Sequence, residues 1–227
     1  MTAPALKLMP EHPERRLAVA HAHALSRDGL ATLFALDERL GAIVSRAREP
    51  AIGMMRLVWW RNALAALDCE PPPAEPLLAA AAALRPDRIA GRELAVLAEG
   101  WEVLLDDAEF GSQTTAAHAR DRGVGLFRLA GRVLGRDSDR LSDAGEGWAL
   151  VDLGRNFAPP ARCAALLDQA RAPLERAMAT RWPGALRPLG MLTALALQDV
   201  RCGAEALRPP ASPRRLLRLL AHRWTGR

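Results

Sequence analysis

Helical spacing of apolar residues recurs along almost the whole chain, and it constrains the fold more than any other feature. Leu17, His21 and Leu25 step by four, and Leu33, Leu36, Leu40, Ile43 and Val44 share one helix face. Alanine and leucine dominate, and both favour helix. Tyrosine is absent and β-branched residues are sparse and scattered, so strands have little to be built from. The pattern predicts helices over 14–26, 30–48, 50–67, 77–84, 88–107, 114–134 and 141–156, one starting at Pro160, and a last core helix over 183–206. The run EPPPAEP at 70–76 reads as a loop, and 135–139 as a turn with capping chemistry. Arg27, Asp28 and Gly29 read as a break between the first two helices. The expected fold is therefore all-α, a bundle of about nine or ten helices. At 227 residues, half of them hydrophobic, the chain suits one domain over 1–227, with a core near 14–206 and a terminal helix over 212–224.

The formal charge is +5, which points to anionic partners or to ordinary solubility. A nucleic-acid role is not expected, because the basic residues are not gathered with aromatic ones. Cys69, Cys163 and Cys202 are far apart, as buried thiols in a reducing compartment would be. Met1 to Pro13 lacks a cationic start followed by an apolar run, and no apolar stretch is long enough to cross a bilayer. These features predict a cytoplasmic chain, free or peripheral to a membrane.

No standard catalytic constellation is complete. Gly123, Gly125 and Gly131 have the wrong spacing for a dinucleotide loop and read as small residues for close helix packing. His21, His23, His118 and His222 lack metal-binding spacing and read as structural or surface residues. Asp139 and Asp143 form a DxxxD pair at the start of a helix, where capping accounts for them. Glu102, Asp106 and Asp107 make an acidic patch that suits a solvated face or a cavity wall. The densest cluster is IGMMRLVWWRNAL, Ile52 to Leu64, in which Arg56 and Trp60 share a helix face and Trp59 turns away. One tryptophan is expected in the core and the other at a cavity or interface.

That cluster resembles the GxxRLxWWRxAL signature of the squalene/phytoene synthase family. Upstream, Phe34 to Leu40 resembles the family's first-motif helix. Downstream, Leu97 to Asp107 resembles its acidic segment, His118 to Gly135 its glycine-containing helix, and Gly147 to Asn156 its GxALQLTNILRD segment. The resemblance runs from about residue 20 to 220 in motif order. It implies an isoprenoid-synthase-like bundle and the condensation of two prenyl diphosphates. In that chemistry two aspartate-rich helices hold Mg²⁺, which neutralises the departing diphosphate.

The chain departs from the family at those two motifs. Aligned on the resemblance, the first motif's aspartates fall on Gly41, Ala42 and Ser45, and the second's on Asn156 and Pro160. No residue stands out as catalytic. Asp37, Arg56, Trp60, Asp152 and Asn156 are the candidates to face the cavity or a diphosphate. Asp37 and Asp152 are the best surviving metal ligands, with Mg²⁺ as the cofactor if the chain is catalytic. The pattern is similar to a degenerate branch of the family that includes an assembly factor of respiratory complex I. Two readings follow: a weakly active or non-catalytic protein of isoprenoid metabolism, or a scaffold at the inner membrane. The implied partners are a prenyl diphosphate or other prenyl lipid, a membrane surface, or a membrane-complex protein. The segment from Ser212 to Trp224 reads as a basic amphipathic helix, with Arg214, Arg215, Arg218 and Trp224 as membrane-surface candidates, or as a terminal helix docked on the core.

Overall fold

A computed structural model describes residues 8–84, 89–107 and 109–227. Among these residues all regular structure is helical. The α-helices are α1 (Pro13–Ala20), α2 (Arg27–Arg46), α3 (Pro50–Ala66), α4 (Pro76–Ala82), α5 (Gly91–Asp106), α6 (Ser112–His118), α7 (Gly125–Val133), α8 (Arg140–Asn156), α9 (Pro160–Met178), α10 (Arg187–Cys202) and α11 (Pro213–Thr225). A π-helical turn, Ala119–Val124, joins α6 to α7 without a break, so the eleven segments form ten continuous helices.

Most of the periodic segments fold as their spacing predicts, and the departures have local causes. The first helix stops at Ala20, after which Ala24–Ser26 makes a separate 3₁₀ turn. Residues 27–29 are the first turn of α2 instead of a break, because Gly29 lies where α2 presses on α7. A Cβ there would come within 2.9 Å of Val133. In α3, Gly53, Leu57, Trp60 and Leu64 form the buried stripe, and Ile52, Met55 and Trp59 are exposed. The predicted start of α5 at residue 88 lies outside the described residues.

The core is built from large apolar side chains, with Trp101, Trp182, Phe34 and Phe127 essentially sealed from solvent. α8 packs most extensively on α9, and α3 on α5, while α8 also lies along the π turn. Glycines make that last contact close. A Cβ on Gly123 would sit 2.4 Å from the carbonyl oxygen of Gly145, and one on Gly145 would sit 2.3 Å from that of Gly123. Backbone therefore touches backbone at this crossing, and the π turn is pressed between α5 and α8. No helix among the described residues is long and apolar enough to cross a membrane.

The two ends of the fold are tied by a buried ion network. Arg215 of α11 donates to both carboxylate oxygens of Glu14 on α1, at 2.6 and 3.0 Å, and also to Asp199 of α10. Arg155 of α8 lies 3.1 Å from the other oxygen of Asp199, and the backbone N–H of Ala211 donates to Glu14. Arg215 thus points into the protein, which corrects its reading as a membrane-surface residue. Arg214, Leu217 and Trp224 occupy the outer side of α11, with Trp224 73% exposed, and Arg218 is half-buried.

Candidate functional site

Asp37 on α2 and Asp152 on α8 converge at the centre of the bundle, although 115 residues separate them in the chain. Arg122, on the π turn, lies between them. Its Nε donates to Asp37 Oδ1 at 2.7 Å, and its Nη2 donates to Asp37 Oδ2 at 2.9 Å and to Asp152 Oδ2 at 2.5 Å. Arg15 of α1 adds a second bridge, donating to Asp37 Oδ2 at 3.0 Å and to Asp152 Oδ1 at 3.5 Å. Trp101 Nε1 donates to Asp37 Oδ1 at 3.1 Å, and Asn156 Nδ2 donates to Asp152 Oδ1 at 2.9 Å. The guanidinium of Arg122 also lies 4.1 Å from the ring centre of Trp101 and 4.8 Å from that of Trp148, so its faces meet π clouds while its edge meets carboxylates.

The π turn explains why an arginine reaches so far inside. Its wider winding carries Arg122 into the crossing where Gly123 admits α8. On the other side Gly100 admits the π turn, since a Cβ there would lie 2.5 Å from the backbone nitrogen of Arg122. His118, one turn before Arg122, completes the setting. Its Nδ1 lies 2.6 Å from the carbonyl oxygen of Gly100 and its Nε2 lies 3.1 Å from Arg122 Nη1. One neutral tautomer satisfies both contacts, with Nδ1–H donating to the carbonyl and Nε2 accepting from the arginine. Burial and the adjacent Arg122 charge lower the His118 pKa to about 3.

The electrostatics close on themselves. Burial pushes the Asp37 carboxyl up, but Arg122 and Arg15 outweigh it and leave the pKa below the ordinary carboxylate value. Asp152 follows the same balance and also ends well below it. Glu38, beside them, is raised by burial. It accepts the backbone N–H groups of Glu11 and His12, and Arg15 lies 3.5 Å away.

A cavity of about 400 Å³ opens beside this network. Asp37, Asp152, Arg15 and Arg122 form one wall, and Gly41, Ala42, Ser45, Asn156, Trp101 and Phe157 line the rest. Of the cavity candidates, Asp37, Asp152 and Asn156 are brought together here. Arg56 and Trp60 are not: they line a different groove between α2 and α3, with Arg56 exposed and Trp60 buried.

Asp143 pairs with Arg176 of α9 at 2.7 Å, while Asp139 stands at the N-terminal end of α8 without the side-chain capping bond expected of it. Glu102 is buried and accepts from Arg61 at 2.8 Å. Asp107 accepts from Gly111 N, Glu109 N and Thr114 Oγ1, fixing the turn into α6.

The carboxylates of this cavity do not fit Mg²⁺. Asp37 already accepts four donors, about as many as a carboxylate has lone-pair positions for. Gly41 is backed by Trp101, whose ring would lie 2.9 Å from any added Cβ, so that position has no room for an acid. Among the described residues no group of three or more His, Cys, Asp or Glu side chains is placed to hold a metal ion.

Arg15, Arg122, Trp101 and Trp148 are the site residues that sequence reasoning passed over. The available signal was an arginine, Arg122, placed immediately before two closely spaced glycines, Gly123 and Gly125. Comparison of the chain with known protein families, characterised proteins and solved structures finds no match.

Proposed function

We propose that this chain is a squalene/phytoene synthase-like protein of the degenerate branch, and that it acts as a non-catalytic scaffold or assembly factor at the inner membrane. The observation that carries the reading is Arg122, lodged between the two surviving acids where a metal-dependent synthase would need a free, metal-binding gap. Two further points support it. The positions aligned with the family's first motif, Gly41, Ala42 and Ser45, line one cavity together with Asn156 from the second, so α2 and α8 face each other as the two motif helices would. Neither helix offers a free pair of carboxylates there. The outer side of α11, with Arg214, Leu217 and Trp224, supports contact with an anionic membrane surface.

A second reading, residual prenyl diphosphate chemistry, is favoured by the persistence of the cavity and by the convergence of Asp37 with Asp152. Incubation of the purified protein with Mg²⁺ and farnesyl or geranylgeranyl diphosphate separates the two. The scaffold reading expects diphosphate release at the level of a protein-free control, and release above it establishes the enzymatic reading.

A further inference from the structure

α3 presents a complete side-chain ridge to solvent. Ile52, Met55 and Trp59 follow at steps of three and four, and they are 42%, 68% and 50% exposed. Such a row is what one helix offers to another in ridge-into-groove packing. Beside it a groove of about 380 Å³ runs between α2 and α3, lined by Ile43, Trp60, Arg39 and Arg56 as well as by the ridge itself. Trp59 stands edge-on to the buried Trp60, with ring centres 5.4 Å apart, so a half-exposed indole packs against a buried one at the groove wall. Arg39 and Arg56 are exposed and form no ion pair or hydrogen bond with any described residue. Arg46 and Arg48 add exposed positive charge at the α2–α3 connection, against Glu49 alone.

We infer that this groove seats an acidic amphipathic helix from a partner protein. The concavity argues for a convex occupant with side chains to insert, which a flat bilayer surface does not supply. Apolar side chains of the incoming helix would pack against Met55, Trp59 and Ile43, and methionine adapts readily to such a neighbour. Glutamates or aspartates flanking them would meet Arg39 and Arg56, whose guanidinium groups suit carboxylate recognition. The inference extends the scaffold reading by naming the chemistry of its protein partner.

The probe is a stapled helical peptide with leucines along one face and glutamates on both flanks, labelled for fluorescence polarisation. Saturable binding to the full chain is expected at roughly micromolar concentration. The double variant Arg39→Glu/Arg56→Glu should weaken it at least tenfold, and a matching peptide with lysines in place of the glutamates should restore binding to that variant. Met55→Glu should abolish binding of the acidic peptide. All three altered side chains are exposed, and circular dichroism verifies that the variants remain folded. Absence of saturable binding, or binding indifferent to the charge reversal, overturns the inference. So does binding to phosphatidylglycerol vesicles without binding to the peptide, which makes the patch a lipid contact. Self-association abolished by Met55→Glu would overturn it too, by making the patch a contact between copies. The diphosphate assay reads a different site, so failure of either experiment leaves the other interpretable.

Discussion

Arg122 is the residue on which the interior depends. Its charge is compensated by Asp37 and Asp152 and its faces by Trp101 and Trp148, so removing the guanidinium leaves Arg15 as the one arginine facing two carboxylates, of which Asp37 is fully buried. Arg122→Ala is expected to destabilise the fold by about 3–5 kcal/mol, the range for breaking one side of a buried ion pair, measured by urea denaturation. His118 adds a pH dependence of its own. Folding lowers its pKa to about 3, against about 6.5 in an unfolded chain. Between those values the unfolded chain holds a proton that the folded chain excludes. Stability should therefore fall as pH drops from about 6.5, by at most ~1.4 kcal/mol per pH unit for this one group. Asp37 and Asp152 behave differently. Their folded pKa values are depressed, so their contribution persists above the unfolded value of about 3.9 and is lost only at lower pH. A urea midpoint that declines from about pH 7 to 5 in the natural protein, and declines less steeply in His118→Gln, checks the assignment. His222, buried and lowered to about 4, contributes to the slope that remains, together with His12 and His21, which burial also lowers. Of these residues, Asp37 and Asp152 were singled out in the sequence, because they lie about a turn from the positions that the resemblance aligns with the two aspartate-rich motifs. Their partners were not, since nothing in local spacing tells an arginine that faces solvent from one that crosses the bundle to an acid 85 positions away.

At the scale of the element, the extents of α3 and α8 were as readable as that of α2, but the buried face was readable only where the apolar stripe is clear. α2 shows its core face directly, as Leu33, Leu36 and Leu40 are all buried. α3 carries apolar residues around its whole circumference, so spacing alone selects no face, and the assignment of Arg56 and Trp60 to the central cavity fails for that reason. The π turn was invisible for a different cause: it is a response to crowding, and the neighbours that crowd it come from α5 and α8. Gly123→Ala tests this dependence. A methyl group there must displace the Gly145 carbonyl, 2.4 Å from where the Cβ would lie, and backbone cannot yield as a flexible side chain does. The expected cost is about 1–3 kcal/mol or more, read as a lowered thermal midpoint. The same variant should lose part of the His118-dependent pH slope, because separating α8 from the π turn admits water to the network.

Across the whole molecule, charged groups occupy the places where a helical bundle normally keeps hydrocarbon. One network joins α1, α2, α8 and the π turn through Arg15 and Arg122, and the other joins α1, α8, α10 and α11 through Arg215 and Arg155. Both include α1, through the adjacent residues Glu14 and Arg15. The all-helical architecture was legible because composition and spacing agree along the chain. These long-range pairings were not, because they depend on the bundle already being assembled. The network through Arg215 also sets an order of events during translation. Glu14 leaves the ribosome well before Asp199, yet the guanidinium that bonds to both arrives only with α11. Until then Glu14 lacks the arginine that holds it, and Asp199 keeps only Arg155 of the two arginines that flank it in the finished protein.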